Sequence, residues 1–243
     1  MADEKSKMPA ATNDAKAPAA SGEDIDQFLE TVRSMPPAHR KGSGRGRLIF
    51  AMDATMSRQP TWDTALQIQA EMFEETGRIG GLDVQLVYFR GFRESQSSKW
   101  VSDPDALARL MTQVDCRGGN TQIARILKHI RREKGKDGVD AVVYVGDAME
   151  ENVDQLCQIA GEIGLLGVPI FMFQEGHDMI AEQAFREIAR LTRGAYCRFD
   201  RSSARQLREL LSAVAVYAAG GRQALADYAG KSGQGRLLLE QMK

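Results

Sequence analysis

Short apolar runs alternate with amphipathic stretches along this chain, and that alternation limits what it can fold into. Residues 48–52, 84–89, 141–145, 168–173 and 195–199 each read as a strand. Between them, apolar side chains recur at the i, i+3, i+4 and i+7 spacing of a helix face. Pro60 opens one helix and Gly77 closes it, with Trp62, Leu66, Ala70 and Phe73 inward. Asp103-Pro104 opens a short helix carrying Leu107, Leu110 and Met111. Thr121 is positioned to cap the next, which presents Ile123, Ile126, Leu127 and Ile130. The helix after residue 145 turns Val153, Leu156, Ala160 and Ile163 inward; another spans 180–191. Ser203 is the expected cap of the last, which bears Leu207, Leu210, Leu211 and Val214. Strand–helix repetition of this kind implies an α/β, Rossmann-like fold, a mostly parallel sheet with helices on both faces. A run such as Ala-Val-Val-Tyr-Val fits a strand buried on both sides. The polar stretch 94–98 reads as a turn into a short edge strand near 99–101.

Three segments follow. Residues 1–45 form a tail whose first 20 residues offer almost nothing to bury and are expected to be disordered. Within it, Ser21 with Asp24 marks a short helix bearing Ile25, Phe28, Leu29 and Val32, which either docks or binds a partner. The basic, glycine-rich run 39–47 contains no aromatic residue for base stacking and reads as a solvated hinge. Residues 46–219 are the domain. Residues 220–243 are a C-terminal extension whose Leu237, Leu238, Leu239 and Met242 either pack or serve as a handle for a partner.

The formal net charge of −1 leaves no whole-chain field to draw nucleic acid or acidic lipid. No apolar run approaches the roughly 20 residues that span a bilayer. The N-terminal stretch lacks the apolar segment of a secretory signal. Cys116, Cys157 and Cys197 have no metal or disulfide spacing. A cytoplasmic protein is the expectation.

The chemistry concentrates in three places. Asp53-Ala54-Thr55-Met56-Ser57 leaves the end of the first strand, Gly118-Gly119-Asn120-Thr121 precedes a helix, and Gly146-Asp147 follows the strand at 141–145. In a doubly wound sheet, ligands bind beyond the carboxyl ends of strands where the winding reverses. If the 48–52 and 141–145 strands are neighbours there, Asp53 and Asp147 converge with the hydroxyls of Thr55, Ser57 and Thr121. Magnesium needs about six oxygens and retains waters, so one or two carboxylates suffice. Few protein anions would leave the ion electrophilic, and an acidic side chain of a partner could complete its shell. The simpler reading is that these acids and hydroxyls only cap turns and helices.

These motifs, in this order and strand context, resemble the von Willebrand factor A domain and its metal-ion-dependent adhesion site. The resemblance covers about residues 47–219. It implies Mg²⁺ or Mn²⁺ held by Asp53, Thr55, Ser57, Thr121 and Asp147, and a protein-binding, non-enzymatic role. Thr55 stands where that family usually has Ser and keeps the hydroxyl. The enzymatic rival is a Mg²⁺-dependent phosphatase of the haloacid dehalogenase type. There Asp53 would be the nucleophile, Asp147 would help hold magnesium, and Glu151 would supply the second acid. Thr55 departs from that pattern, which has a second Asp.

Among the remaining residues, His129 lies beside an apolar helix face, and His177 follows the 168–173 strand near the expected crevice. Cys157 and Cys197 read as buried fillers, and Cys116 as the thiol nearest the site. Glu150 and Glu151 either add negative potential or favour the start of the helix they precede.

Overall fold

A computed structural model describes residues 45–77, 81–136, 138–199 and 204–231. The N-terminal tail and its short helix, the Ser203 cap and the terminal leucine cluster lie outside the described residues. The strands are β1 (Gly46–Asp53), β2 (Leu82–Arg90), β3 (Glu94–Ser97), β4 (Ala141–Gly146), β5 (Ile170–Glu175) and β6 (Tyr196–Phe199). The helices are α1 (Gln59–Gly77), α2 (Pro104–Thr112), α3 (Ile123–Lys136), α4 (Val153–Leu165), α5 (Met179–Leu191) and α6 (Ala204–Lys231), with a 3-10 turn at Met56–Arg58.

One sheet of six strands runs in the order β3-β2-β1-β4-β5-β6. All neighbours are parallel except β2 and β3. β1 lies between β2 and β4, with Leu48 opposite both Val84 and Ala141. The winding reverses there, so the crevice between β1 and β4 is the switch point.

The period-2 alternation of strand side chains divides the core. Leu48, Phe50 and Met52 of β1 join Val143, Val145, Phe171 and Phe173 on one face, beneath α1, α2 and α6. Ile49 and Ala51 join Val142, Tyr144, Ile170 and Met172 on the other, beneath α3, α4 and α5. Both clusters are covered, which is why the central strands read as unbroken apolar runs. Trp62 is buried and its indole N–H donates to the Met111 carbonyl (3.0 Å), tying α1 to α2.

One expectation is corrected. The edge strand is the polar stretch Glu94–Ser97, while Val101 forms only an isolated bridge with Val84. None of the β3 side chains is buried, so its sequence shows no apolar alternation. The tight return at Gly91 (φ 59°) and the Arg90–Glu94 ion pair set its register. At the other end, α6 continues past Gly220-Gly221 to Lys231, with a kink at Gly221 (φ 69°). Leu225 is buried in the same core as Leu210 and Val214.

Candidate metal site

Asp53 is the last residue of β1, opposite Phe89 of β2. Its side chain is 1% exposed. The chain then turns sharply. Asp53 Oδ1 accepts the Thr55 backbone N–H (2.8 Å), and the Thr55 carbonyl accepts the Arg58 N–H (2.9 Å), closing the 3-10 turn. Short oxygen-bearing side chains stabilise such turns by bonding backbone two residues on. Ala54 anchors the turn on both sides: its N–H donates to the Phe89 carbonyl and its carbonyl accepts the Arg117 N–H (both 2.9 Å).

From this turn a chain of side-chain oxygens reaches the β4 loop. Thr55 Oγ1 and Ser57 Oγ lie 3.3 Å apart, and Ser57 Oγ donates to Asp147 Oδ2 at 3.0 Å. Asp53, Thr55, Ser57 and Asp147 therefore belong to one hydrogen-bonded set. Thr121 meets the same loop three residues beyond Asp147: its hydroxyl accepts the Glu150 N–H (3.2 Å), and its own N–H donates to Glu150 Oε2 (3.1 Å). No hydrogen bond joins Thr121 directly to the other four among the described residues. A Cβ on Gly119 would stand 2.0 Å from the Gly91 carbonyl oxygen, so only glycine lets the Thr121 loop lie this close to the β2 end. Gly118 has open space around it.

Burial and the charge of Asp147 raise the Asp53 carboxyl to about 6, against opposing hydrogen bonds from Thr55 and the charge of Arg58. A buried carboxylate beside a second one is stabilised by added positive charge. The oxygen spacings suit a small cation. Adjacent ligands of an octahedral Mg²⁺ at about 2.1 Å stand roughly 3 Å apart, close to the 3.0 and 3.3 Å observed here. Among the described residues no group of three or more His, Cys, Asp or Glu could hold a metal. The hydrogen-bonded set instead offers two carboxylates and two hydroxyls, oxygen donors of the kind a hard ion takes.

Thr121 does not cap α3, contrary to expectation. The helix begins at Ile123, and the Glu151 carboxylate accepts the N–H groups of Ile123 and Ala124. Glu150 and Glu151 thus serve the loop and helix before β4, not α4, which Asn152 caps through the Gln155 N–H (2.9 Å). A carboxylate with two oxygens can hold two free N–H groups at a helix start, where one hydroxyl holds one.

A buried ion pair beneath the turn escaped sequence reasoning. Arg58 is fully buried, and its Nη1 and the Thr61 hydroxyl both donate to Glu175 Oε2 at the end of β5. Among the described residues Arg58 Nε and Nη2 find no hydrogen-bond partner. The available signal was an arginine one residue after the hydroxyl motif and an acid ending an apolar strand. Cys116 is buried close by, and burial with the Asp53 charge pushes its thiol up to about 11, so it stays a thiol. Cys197 is buried, but Cys157 is only half-buried, contrary to its reading as a buried filler. His177 is exposed.

No family model matches this sequence, and neither does any curated protein. Solved structures do match. The VWA domain of SpRpn10 superposes with a TM-score of 0.54 at 13% identity, covering 72% of this chain and 98% of that one. An aerotolerance-related membrane protein from Bacteroides fragilis gives 0.53 at 16% identity, covering 68% and 96%. Proximal thread matrix protein 1 from the mussel byssus, with a zinc-occupied MIDAS motif, gives 0.55 at 15% identity, covering 71% and 46%. At these identities the likeness concerns the fold, which is that of a von Willebrand factor A domain.

Proposed function

We propose that this chain is a von Willebrand factor A-type binding module that holds Mg²⁺ or Mn²⁺ through Asp53, Thr55, Ser57, Thr121 and Asp147. The observation that carries the reading is the run of side-chain oxygens from Asp53 to Asp147 across the β1/β4 switch point. The mussel-byssus structure with zinc at its MIDAS supports a divalent ion in a fold of this kind. Asp53 and Asp147 supply charge; Thr55, Ser57 and Thr121 supply neutral oxygen. The bound ion contributes a Lewis-acidic position that an acidic side chain of a partner protein completes.

The surroundings favour a protein partner. Met56, Phe92, Met179 and Ile180 are exposed large apolar side chains on the segments that leave the carboxyl ends of β1, β2 and β5. Exposed apolar side chains on these segments are surface that a protein partner can bury. The role is non-enzymatic binding, in a reducing compartment such as the cytoplasm. Among the described residues no helix is long and apolar enough to cross a membrane.

The test is a pull-down with wild type and Asp147→Ala, with and without EDTA. Loss of the same partner under both perturbations is expected; a partner retained under both refutes the reading. Turnover of p-nitrophenyl phosphate that Asp53→Asn abolishes would instead favour the phosphatase.

A further inference from the structure

A second polar site lies away from the β1/β4 crevice, between α3 and the edge strand β3. Arg125, Lys128, His129 and Arg132 recur at i, i+3, i+4 and i+7 and so share one face of α3. They line a cavity of about 320 Å³, faced by Ser95 and Ser97 of β3, and among the described residues no carboxylate lines it. That volume is at the lower end of small-molecule sites.

Among the described residues, none of Arg125, Lys128 and Arg132 has a carboxylate within ion-pair distance. The neighbouring Arg131 and Lys136 on the same helix pair with Glu162 and Glu133. Arg125 is tethered through Nη1 to the Arg93 carbonyl (2.7 Å), a neutral acceptor.

Arg132 is held by a relay through the buried His129. Its Nη2 donates to His129 Nδ1 (2.8 Å), so Nε2 carries the imidazole proton and donates to Gln85 Oε1 (2.8 Å). Gln85 Nε2 in turn donates to the Ser98 carbonyl (3.0 Å), at the end of β3. His129 is 7% exposed, and burial holds it below the usual histidine range, in the neutral form this relay requires. The relay positions a guanidinium without neutralising it. Arginine forks and hydroxyls on opposite walls suit an anion with many acceptor oxygens.

We propose that the groove between α3 and β3 binds a compact phosphate-bearing small molecule of the diphosphate class, with Arg125, Lys128 and Arg132 supplying charge and Ser95 and Ser97 supplying hydroxyl donors. A single carboxylate offers one charge to three cations; a diphosphate offers several. This site is independent of the metal-site reading.

The experiment is calorimetric titration of the full chain with inorganic pyrophosphate in metal-free buffer, at low and at physiological salt. Wild type should bind, more weakly at higher salt. Lys128→Gln/Arg132→Gln, whose changes fall on exposed side chains, should weaken binding at least about tenfold, the scale of one hydrogen bond to a charged group. Asp147→Ala should bind as wild type does. Amide-shift changes should fall on 95–97 and 125–132. No binding at millimolar pyrophosphate overturns the proposal, as does binding that the double substitution leaves unchanged or that Asp147→Ala removes. Succinate binding as tightly as pyrophosphate would overturn the assignment to phosphate.

Discussion

Replacing Asp53 with Asn should make the metal-free protein more stable while removing its response to Mg²⁺. Burial raises the Asp53 carboxyl from 3.8 to about 6. A shift of about two pK units corresponds to ~3 kcal/mol between protonation states. The side chain is 1% exposed, so solvent screening does not dilute this. At pH 7.5 the ionised group therefore weakens the metal-free fold by up to ~3 kcal/mol. Asn removes the charge and keeps an oxygen to accept the Thr55 N–H. Because a raised carboxyl pKa means the folded state takes up the proton first, the penalty is full above about 6. It shrinks as pH falls, and is gone below 3.8. Urea denaturation in EDTA from pH 7.5 to 4 should show Asp53→Asn more stable at the top of the range, with the advantage closing towards the bottom. Adding millimolar Mg²⁺ should stabilise wild type by mass action and leave the variant unmoved. If the variant is no more stable than wild type in EDTA at pH 7.5, or its advantage does not change with pH, the account of Asp53 as a strained, cation-seeking carboxylate is wrong.

Two further substitutions probe the structure around the site. Arg58→Met takes the Arg58 cation away from the buried Glu175 carboxylate, and breaking a buried pair this way costs about 3–5 kcal/mol. Arg58→Met/Glu175→Met should recover much of that in the same denaturation assay, and a double variant as unstable as the single would argue against the pair as the cause. Glu151→Ala frees the Ile123 and Ala124 N–H groups and should destabilise by about 1–2 kcal/mol, as lost helix caps do. Hydrogen exchange should speed up at the start of α3, and unchanged exchange there would refute the capping role.

The sequence by itself determined the fold class. Strands buried on both faces must be apolar at every position, and helices on a sheet must be apolar on one side, so β1, β4, β5 and their helices are written in local periodicity. Asp53, Thr55, Ser57 and Asp147 share hydrogen bonds because each sits at or just beyond the carboxyl end of such a strand, and parallel winding brings those ends together. What lacked a local signal was decided by tertiary contact. β3 buries none of its side chains, so it exists only because β2 offers a free edge. Glu151 caps a helix that begins 28 residues before it, and Arg58 meets Glu175 across 117 residues. A charge or hydroxyl has no periodicity to announce its partner. Which donor meets which acceptor depends on how far each loop travels over the sheet, and only the assembled strand order sets that distance.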